Sequence, residues 1–156
     1  MISPELLRRY SFFGGFALKE LKELAVAGRE QSLAEGELLF SEGDRADHLF
    51  FLADGEMETL IRAEEEGDIS LSTLPAGEPV GWSALIEPHL YTASARATRP
   101  SRVLAFGRPE LAKLMEDAHF ASILLGKLAE VISRRLRDTQ IQLLSLKARS
   151  GEPVAS

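Results

Sequence analysis

The feature that most constrains this chain is a series of short apolar runs, separated by glycine-containing turns, across residues 30–106. The glycines at these turns are Gly36, Gly43, Gly55, Gly67 and Gly77. Glycine ends regular elements and adopts turn conformations that other residues avoid, so turns at this spacing leave no room for long helices. Many short strands between turns are typical of a β-barrel or jelly roll.

Local patterns predict individual strands within this region. The apolar run His48–Ala53 is followed by Asp54-Gly55, a dipeptide favoured in two-residue hairpin turns, and Glu56–Arg62 is expected to return beside it. After an acidic turn at 64–68, Ile69, Leu71 and Thr73 alternate with serines, as in a half-buried strand. Further strands are expected from Glu37 to Ser41, from Tyr91 to Ala97 and from Arg102 to Phe106.

Helical patterns lie on both sides of the strands. Ser3-Pro4-Glu5 is a helix start signal, Gly14-Gly15 is a break, and Leu18, Leu21 and Leu24 share one face of a second helix. The sequence therefore predicts an α+β fold: a jelly-roll-like β-barrel of about eight strands flanked by N-terminal helices and a long C-terminal helix. We divide this single domain into N-terminal helices (1–28), the barrel (29–107), C-terminal helices (108–146) and a tail (147–156).

The long helix, expected from about His119 to Leu146, would be roughly 42 Å long, which exceeds the width of a small barrel. Its apolar positions fall near the alternating three- and four-residue spacing of a two-helix seam, which predicts a homodimer. The alternative is a helix packed only on its own barrel. The predicted seam residues are Leu125, Leu128, Ile132, Thr139, Leu143 and Leu146.

Composition excludes several classes of function. The chain has no cysteine, so disulfides and thiolate chemistry are excluded, and its net charge of −6 argues against nucleic-acid binding. The cluster Arg134, Arg135 and Arg137 is interpreted as the solvated face of a helix. No apolar run is long enough to span a membrane and no secretory signal is visible, so a cytoplasmic protein without a membrane partner is expected.

The stretch Gly77–Ile86, followed by Tyr91-Thr92-Ala93, has the features of an anion cradle. Glycines let the backbone approach a ligand, and the first N–H groups of a helical turn point toward it. The candidate ligand-binding residues are Gly81, Trp82, Ser83, Ala84, Tyr91, Thr92 and Ala93. A small anion is the ligand that such a cradle suggests.

From about Phe12 to Leu146 the chain resembles the cyclic nucleotide-binding domain family, which includes the effector domains of catabolite-activator-type regulators. The resemblance rests on four turns in register: Leu33–Glu37, Ser41–Asp44, the hairpin Leu49–Met57, and Gly77–Gly81, the lead-in to the family's phosphate-binding cassette. It implies a regulatory domain in which an anionic ligand at the cassette resets the long helix.

The cassette departs from the family pattern at its two recognition residues. Where the resemblance implies a glutamate for the ribose hydroxyl and an arginine for the cyclic phosphate, this chain has Trp82 and Tyr91. Arg96 lies five positions beyond Tyr91 and on the opposite strand face, so it is a poor substitute for the arginine. Glu78 would replace the glutamate only if the register shifted. These departures predict weak or absent cyclic AMP binding.

The predicted function is a stand-alone, non-catalytic regulatory sensor or adaptor that needs no cofactor. The alternatives are a true cyclic AMP or cyclic GMP sensor, a dimeric interaction module with a plugged pocket, and, remotely, a cupin-like metalloenzyme. The histidines His48, His89 and His119 are spaced too widely for a cupin metal site, so no metal is expected. An unidentified signalling protein is a potential partner. The chain ends about ten residues after the long helix, so no DNA-binding domain is expected to follow.

Overall fold

The computed structural model describes residues 2–151, which form eight strands, four α-helices and two 3-10 turns. In chain order these elements are α1 (Pro4–Arg8), a 3-10 turn (Ser11–Phe13), α2 (Leu18–Ala27), β1 (Gly28–Leu33), β2 (Leu38–Phe40), β3 (His48–Asp54), β4 (Glu56–Ala63), β5 (Gly67–Pro75), β6 (Pro79–Val80), a second 3-10 turn (Trp82–Leu85), β7 (Ser94–Ala97), β8 (Ser101–Gly107), α3 (Arg108–Leu114) and α4 (Ala118–Ser150).

The strands form two four-stranded antiparallel sheets, ordered β1-β8-β3-β6 and β2-β7-β4-β5. Together with the flanking helices they give the predicted α+β, jelly-roll-like architecture. Strand β3 is buried along its interior because both of its faces are covered. On the outer face, Phe51 packs against Tyr10, Phe12 and Phe13, with ring centroids 4.9, 5.7 and 4.7 Å away. The N-terminal segment is therefore part of the core.

The predicted hairpin at Asp54-Gly55 is wrong. Strand β3 pairs with β6 and β8, whereas β4 pairs with β5 and β7, so Gly55 is the corner where the chain passes from one sheet to the other. Gly55 has a φ of 99°, and a Cβ there would lie 2.7 Å from the carbonyl oxygen of Pro100. The dipeptide signals a tight reversal, but non-local partners decide which strands pair. The hairpin in this region is β4–β5, whose turn is the acidic segment 64–66.

Two other local predictions need correction. The strand expected from Tyr91 begins only at Ser94, and Tyr91–Ala93 lie in the preceding loop. In α2, Leu21 and Leu24 are buried as predicted, but Leu18 is 45% exposed because it lies at the start of the helix. The capping hydroxyl of Ser3 accepts a hydrogen bond from the Glu5 amide, as the start signal indicates.

Glu20 connects α2 to the start of α4. Its carboxylate is buried and accepts hydrogen bonds from the Ala17 amide (2.8 Å) and from Nδ1 of His119 (2.8 Å). The hydrogen bond to Glu20, followed by the attraction of its charge, raises the pKa of His119. The protonated imidazole is therefore the form that ties the two helices together.

This link predicts a pH-dependent stability. Because the pKa of His119 is raised on folding, its contribution is fully present below about pH 6.5, the ordinary histidine pKa, and is lost as pH rises through the folded value. The melting temperature of the wild type should therefore fall relative to that of His119→Asn between pH 6 and pH 9. The control His48→Asn changes another exposed histidine and should track the wild type. Parallel pH curves for wild type and His119→Asn would contradict the assignment.

Helix α4 is 33 residues long, or about 50 Å. The Asp117 side chain caps its start by accepting from the His119 and Phe120 amides, and Gly151 ends it with a φ of 74°. Residues 147–150, predicted to belong to a tail, are thus helical, because no glycine or proline lies between Leu146 and Gly151. The rest of the predicted tail, 152–156, lies outside the described residues.

The first half of α4 buries side chains on the barrel, whereas the residues after Val131 are exposed or half-buried. Its buried residues are Phe120, Leu124, Leu128 and Val131. Leu128, predicted to lie in a dimer seam, is therefore a core residue of its own barrel, because it falls on the same face as Leu124 and Val131. Of the other predicted seam residues, Ile132 is half-buried, and Leu125, Thr139, Leu143 and Leu146 are exposed. Within residues 2–151, no helix has the length and apolarity that crossing a membrane requires.

Candidate functional site

The glycine-rich loop 77–93 joins β5 to β7 and turns sharply at Gly81. This residue has a φ of 82°, in the left-handed region that favours glycine. A Cβ at this position would lie 3.0 Å from Cε1 of Tyr91 and 3.1 Å from Cε2 of Phe40. Glycine is therefore required both by the backbone conformation and by the closeness of the two rings. The 3-10 turn Trp82–Leu85 follows directly.

The structure brings together six of the seven predicted ligand-binding residues around one small cavity. The cavity is lined by Phe40, Thr59, Val80, Gly81, Trp82, Ser83, Tyr91, Thr92, Ala93 and Arg135. Ala84 is the exception: its side chain is fully buried in the core, and its N–H donates to the Gly81 carbonyl at 3.3 Å. The amide of Ala84, predicted to face a ligand, is thus used inside the turn.

Tyr91 fills the inner part of this site. Its ring is 5% exposed and stacks on Phe40, with ring centroids 3.7 Å apart and planes inclined by 11°. Its hydroxyl donates to the His48 carbonyl at 2.6 Å. Burial, opposed in part by this hydrogen bond, raises the pKa of Tyr91 to about 12. The residue at the family's arginine position is therefore a neutral, well-packed phenol whose only hydroxyl proton is already bonded.

Arg135 of α4 enters the site from the other side. Its guanidinium lies 4.7 Å from the centre of the Trp82 ring, and its Nη2 donates to the Pro79 carbonyl (2.6 Å) and to Glu78 (3.1 Å). Burial lowers the pKa of Arg135, and the Glu78 charge opposes this shift. Such a stack of a cation on an aromatic face is stabilising.

The interpretation of Arg134, Arg135 and Arg137 as a solvated face is therefore wrong for Arg135, whose side chain is only 17% exposed. The signal that predicts its burial is helical spacing. Residues 120, 124, 128, 131 and 135 follow one another by three or four positions, so Arg135 continues the buried face of α4. Arg134 is half-exposed and also binds Glu78. The prediction for Arg135 relied on the charge of the cluster and did not use its position on the buried face of the helix.

Glu78 and Arg96, the two residues weighed as substitutes for the missing recognition pair, both have other partners. Glu78 accepts hydrogen bonds from Arg134 and Arg135 and does not line the cavity. Arg96 donates to Glu58 at 2.6 and 3.0 Å, on another face of the sheet, as the strand parity predicts. Trp82 lines the cavity and Glu78 does not, so the geometry fits the alignment in which Trp82, directly after Gly81, occupies the position of the family's glutamate.

The cavity has a volume of about 70 Å³. Pockets that hold drug-sized ligands typically measure about 300–1,000 Å³. A groove of about 1,030 Å³ lies between α2 and α3, away from the cassette, with which it shares no residue. Among residues 2–151 no cluster of three or more histidine, aspartate or glutamate side chains is placed to hold a metal ion. His48 begins β3, His89 lies in the cassette loop, and His119 binds Glu20.

Comparison with known proteins gives a consistent result. The sequence model of the family described as "Cyclic nucleotide-binding domain" matches residues 30–118, more than half of the chain. The crystal structure of a candidate cyclic nucleotide-binding protein from Geobacter metallireducens superposes with a TM-score of 0.78 at 33% identity, over 87% of this chain and 99% of that one.

Two curated proteins are similar over most of this chain. The cyclic AMP receptor protein of Thermus thermophilus is 29% identical over 84% of this chain and 59% of its own length. The type II regulatory subunit of the cAMP-dependent protein kinase of Drosophila melanogaster is 26% identical over 91% of this chain and 35% of its own length. The chain thus spans less than two thirds of either protein.

Proposed function

The chain belongs to the cyclic nucleotide-binding domain family, and we propose that it is a non-catalytic regulatory domain that does not bind cyclic AMP in the family's ordinary way. The observation that carries this proposal is the packing of Tyr91. Its ring occupies the site by stacking on Phe40, and its hydroxyl proton is already given to the His48 carbonyl. A ligand would have to displace a side chain that is part of the core.

Size and charge support the same conclusion. A cavity of about 70 Å³ is several times smaller than the roughly 300 Å³ at which pockets for drug-sized ligands begin. A buried phosphate needs a charged partner, and bidentate arginine provides the best geometry for it. Tyr91 offers no charge, and Trp82 offers no carboxylate for a ribose hydroxyl. The guanidinium of Arg135, which also lines the cavity, already donates to Glu78 and to the Pro79 carbonyl. The two aromatic residues therefore replace polar recognition by packing.

We also propose that the domain is a homodimer that associates through α4. Along α4, from Leu125 onward, a mainly apolar and mainly exposed stripe repeats with alternating four- and three-residue spacing. Its members are Leu125, Ala129, Ile132, Leu136, Thr139, Leu143 and Leu146. Leu128 is replaced in this stripe by Ala129, and Leu136 joins it. This spacing is that of a two-helix seam, and a second copy of α4 is the partner whose pattern matches it.

Thermal denaturation with nucleotides tests the proposal about the ligand. A ligand that binds only the folded state with a Kd of about 10 μM stabilises it by about 2.7 kcal/mol at a hundredfold excess, which raises Tm by about 5 °C or more in a domain of this size. We expect 1 mM cyclic AMP or cyclic GMP to raise the Tm of the wild type by less than about 1 °C.

The matched variant is Trp82→Glu/Tyr91→Arg, which restores both family recognition residues. Cyclic AMP should raise its Tm by more than it raises that of the wild type, since a carboxylate and a guanidinium would then be available. Calorimetry on the wild type provides the decisive reading. A saturable heat with a micromolar Kd for cyclic AMP would refute the proposal and favour a true second-messenger sensor.

A further inference from the structure

Helix α4 is held to the rest of the chain in different ways along its two halves. Up to Val131 it is held by side chains that are buried on the barrel. After Val131 only Ile132, Arg135 and Lys147 are half-buried, and the other described residues of the helix are exposed. In the part of the chain that the structure describes, all hydrogen bonds and ion pairs from this second half to other elements come from Arg134 and Arg135. The position of the second half therefore depends on these two side chains.

Both arginines bind a part of the cassette loop that is itself fixed to a sheet. Arg134 pairs with Oε1 of Glu78, and Arg135 pairs with Oε2 at 3.1 Å. Arg135 also donates to the Pro79 carbonyl at 2.6 Å. The Glu78 carbonyl accepts a hydrogen bond from the Leu52 amide at 2.9 Å, and Pro79 is fully buried in β6, which pairs with β3. Helix α4 is thus tied to a segment that belongs to the sheet.

Burial makes this contact stronger than an ordinary surface ion pair. The side chains of Glu78 and Arg135 are each 17% exposed, and the guanidinium lies 4.7 Å from the centre of the Trp82 ring. Surface pairs contribute little to stability, whereas breaking a buried pair leaves a charge without compensation. If the Glu78 carboxylate lost its charge, Arg135 would regain a favourable environment only by reaching water. That requires α4 to move away from the cassette.

We infer that this contact is a built-in clamp, which holds the second half of α4 on the cassette without a ligand. The clamp consists of Arg134 and Arg135 from α4 and of Glu78, Pro79 and Trp82 from the cassette. The family resemblance implies a ligand that resets the long helix, whereas here the chain's own side chains connect cassette and helix. The inference deepens the proposed function, because it names what positions α4 in a domain that does not take cyclic AMP in the ordinary way. The apolar stripe continues beyond the clamp, so the clamp also sets the direction in which the stripe faces.

Glu78→Gln is expected to open the clamp, because it keeps the shape of the side chain and removes the charge that both arginines bind. The variant changes no atom of Trp82, the single tryptophan of the chain, whose ring lies against Arg135. Acrylamide quenching of Trp82 fluorescence in the full-length protein therefore reports on opening. We expect the quenching constant to rise about twofold, because the departing guanidinium uncovers one of the two faces of the ring.

A distance measurement follows α4 itself. The chain has no cysteine, so spin labels on Ser32→Cys in β1 and Ser145→Cys in α4, both at exposed positions, have no background. Labelled protein is diluted with unlabelled protein, so that only distances within one chain are recorded. Ser145 lies about 21 Å along the helix from Val131, so a swing of the second half moves it by several ångströms. We expect one narrow distance in the wild-type background and a second, shifted distance when Glu78→Gln is added.

The matched control is Glu58→Gln. Glu58 is 18% exposed and pairs with Arg96 at 2.6 Å, so this variant breaks an ion pair whose carboxylate is equally buried but which lies within the sheet. It should leave the quenching constant and the distance at their wild-type values. Arg134→Gln is a milder second variant, because Arg134 is 51% exposed and provides only one of the two ion pairs with Glu78. It should change both readouts in the direction of Glu78→Gln but by less, and it decides the test if Glu78→Gln does not fold.

The outcomes separate the clamp from the proposed function. Changes in both readouts for Glu78→Gln but not for Glu58→Gln support the clamp. Wild-type values in folded Glu78→Gln, or in Arg134→Gln where Glu78→Gln does not fold, would overturn it. Equal changes in Glu78→Gln and Glu58→Gln would make the contact one structural ion pair among others and would also overturn it. Neither readout uses a ligand, so binding of cyclic AMP by the wild type would refute the proposed function without deciding the outcome for the clamp.

Discussion

Truncation of Tyr91 to alanine is expected to lower the free energy of unfolding by about 3–5 kcal/mol, the range found for large aromatic residues removed from protein cores. The substitution removes a ring that is 5% exposed, its stack on Phe40 and its hydrogen bond to the His48 carbonyl. Equilibrium unfolding in urea measures the effect. An intact fold before unfolding is checked by circular dichroism.

Two comparison variants divide this effect into its parts. Tyr91→Phe keeps the ring and removes only the hydroxyl, so it should cost about 1 kcal/mol. Leu90→Ala, at the adjacent residue, removes a side chain that is 46% exposed and should change stability by less than about 0.5 kcal/mol.

The size of the Tyr91 effect distinguishes a plug from a ligand contact. A residue kept in order to touch a ligand is held less tightly in the free protein, because some of its interactions are made only in the complex. A residue that closes the cavity makes all its interactions in the free protein. A loss below about 1 kcal/mol for Tyr91→Ala would mean that the ring is not part of the core, and the argument from packing would fail.

The sequence predicts the architecture well because its signals are local. Gly36, Gly43 and Gly77 have φ values of 86°, 88° and 95°, so each turn is encoded at the residue where it occurs. Pairing is not local. Asp54-Gly55 has the composition of a hairpin, yet the contact that defines its role is the approach of Gly55 to Pro100, far along the chain. No property of the dipeptide itself separates a hairpin from a corner between sheets.

The sequence predicts the residues that the cassette loop contributes to the candidate site, but it does not predict the residue that α4 contributes. Trp82 and Tyr91 come together as expected, since the resemblance fixes both on one cassette. Arg135 was predicted to be exposed because it is charged, although its spacing places it on the buried face of α4. Its burial depends on Glu78, fifty-seven residues earlier, which neutralises part of the charge. A charged residue in phase with a buried helix face is a candidate for such a pair.

Replacement of Leu136 and Leu143 by glutamate is expected to dissociate the proposed dimer, with a rise in Kd of at least about a thousandfold. These leucines are 57% and 54% exposed in one chain, so their burial would occur only on association. Full burial of a leucine is worth about 1.5–3 kcal/mol, and a dimer would lose four of them and bring like charges together. Analytical ultracentrifugation over a range of concentrations measures the Kd.

The matched control is Ile141→Glu/Leu144→Glu. These residues lie on the same half of α4 with exposures of 55% and 49%, but they fall outside the stripe. The control adds the same charges to the same helix. It therefore shows whether dissociation depends on the face of α4 that carries the glutamates or only on the loss of apolar residues from the helix. We expect it to remain dimeric with a Kd near that of the wild type. The Tm of both double variants, measured at a concentration at which each is monomeric, should be equal, because neither pair is buried in one chain.

Each result has a distinct structural meaning. Dissociation of the first variant alone places the second copy on the stripe that begins at Leu125. Dissociation of the control alone would move the interface to the face of Ile141, which lies beside strand β5 and lines a groove with Ser70 and Ser72. A wild type that is monomeric at high concentration would reject the dimer and leave the exposed leucines of α4 for another protein. The last residue that α4 buries on the barrel is Val131, but the stripe continues to Leu146. Packing on the barrel does not account for apolar residues at these later positions, whereas a partner helix does.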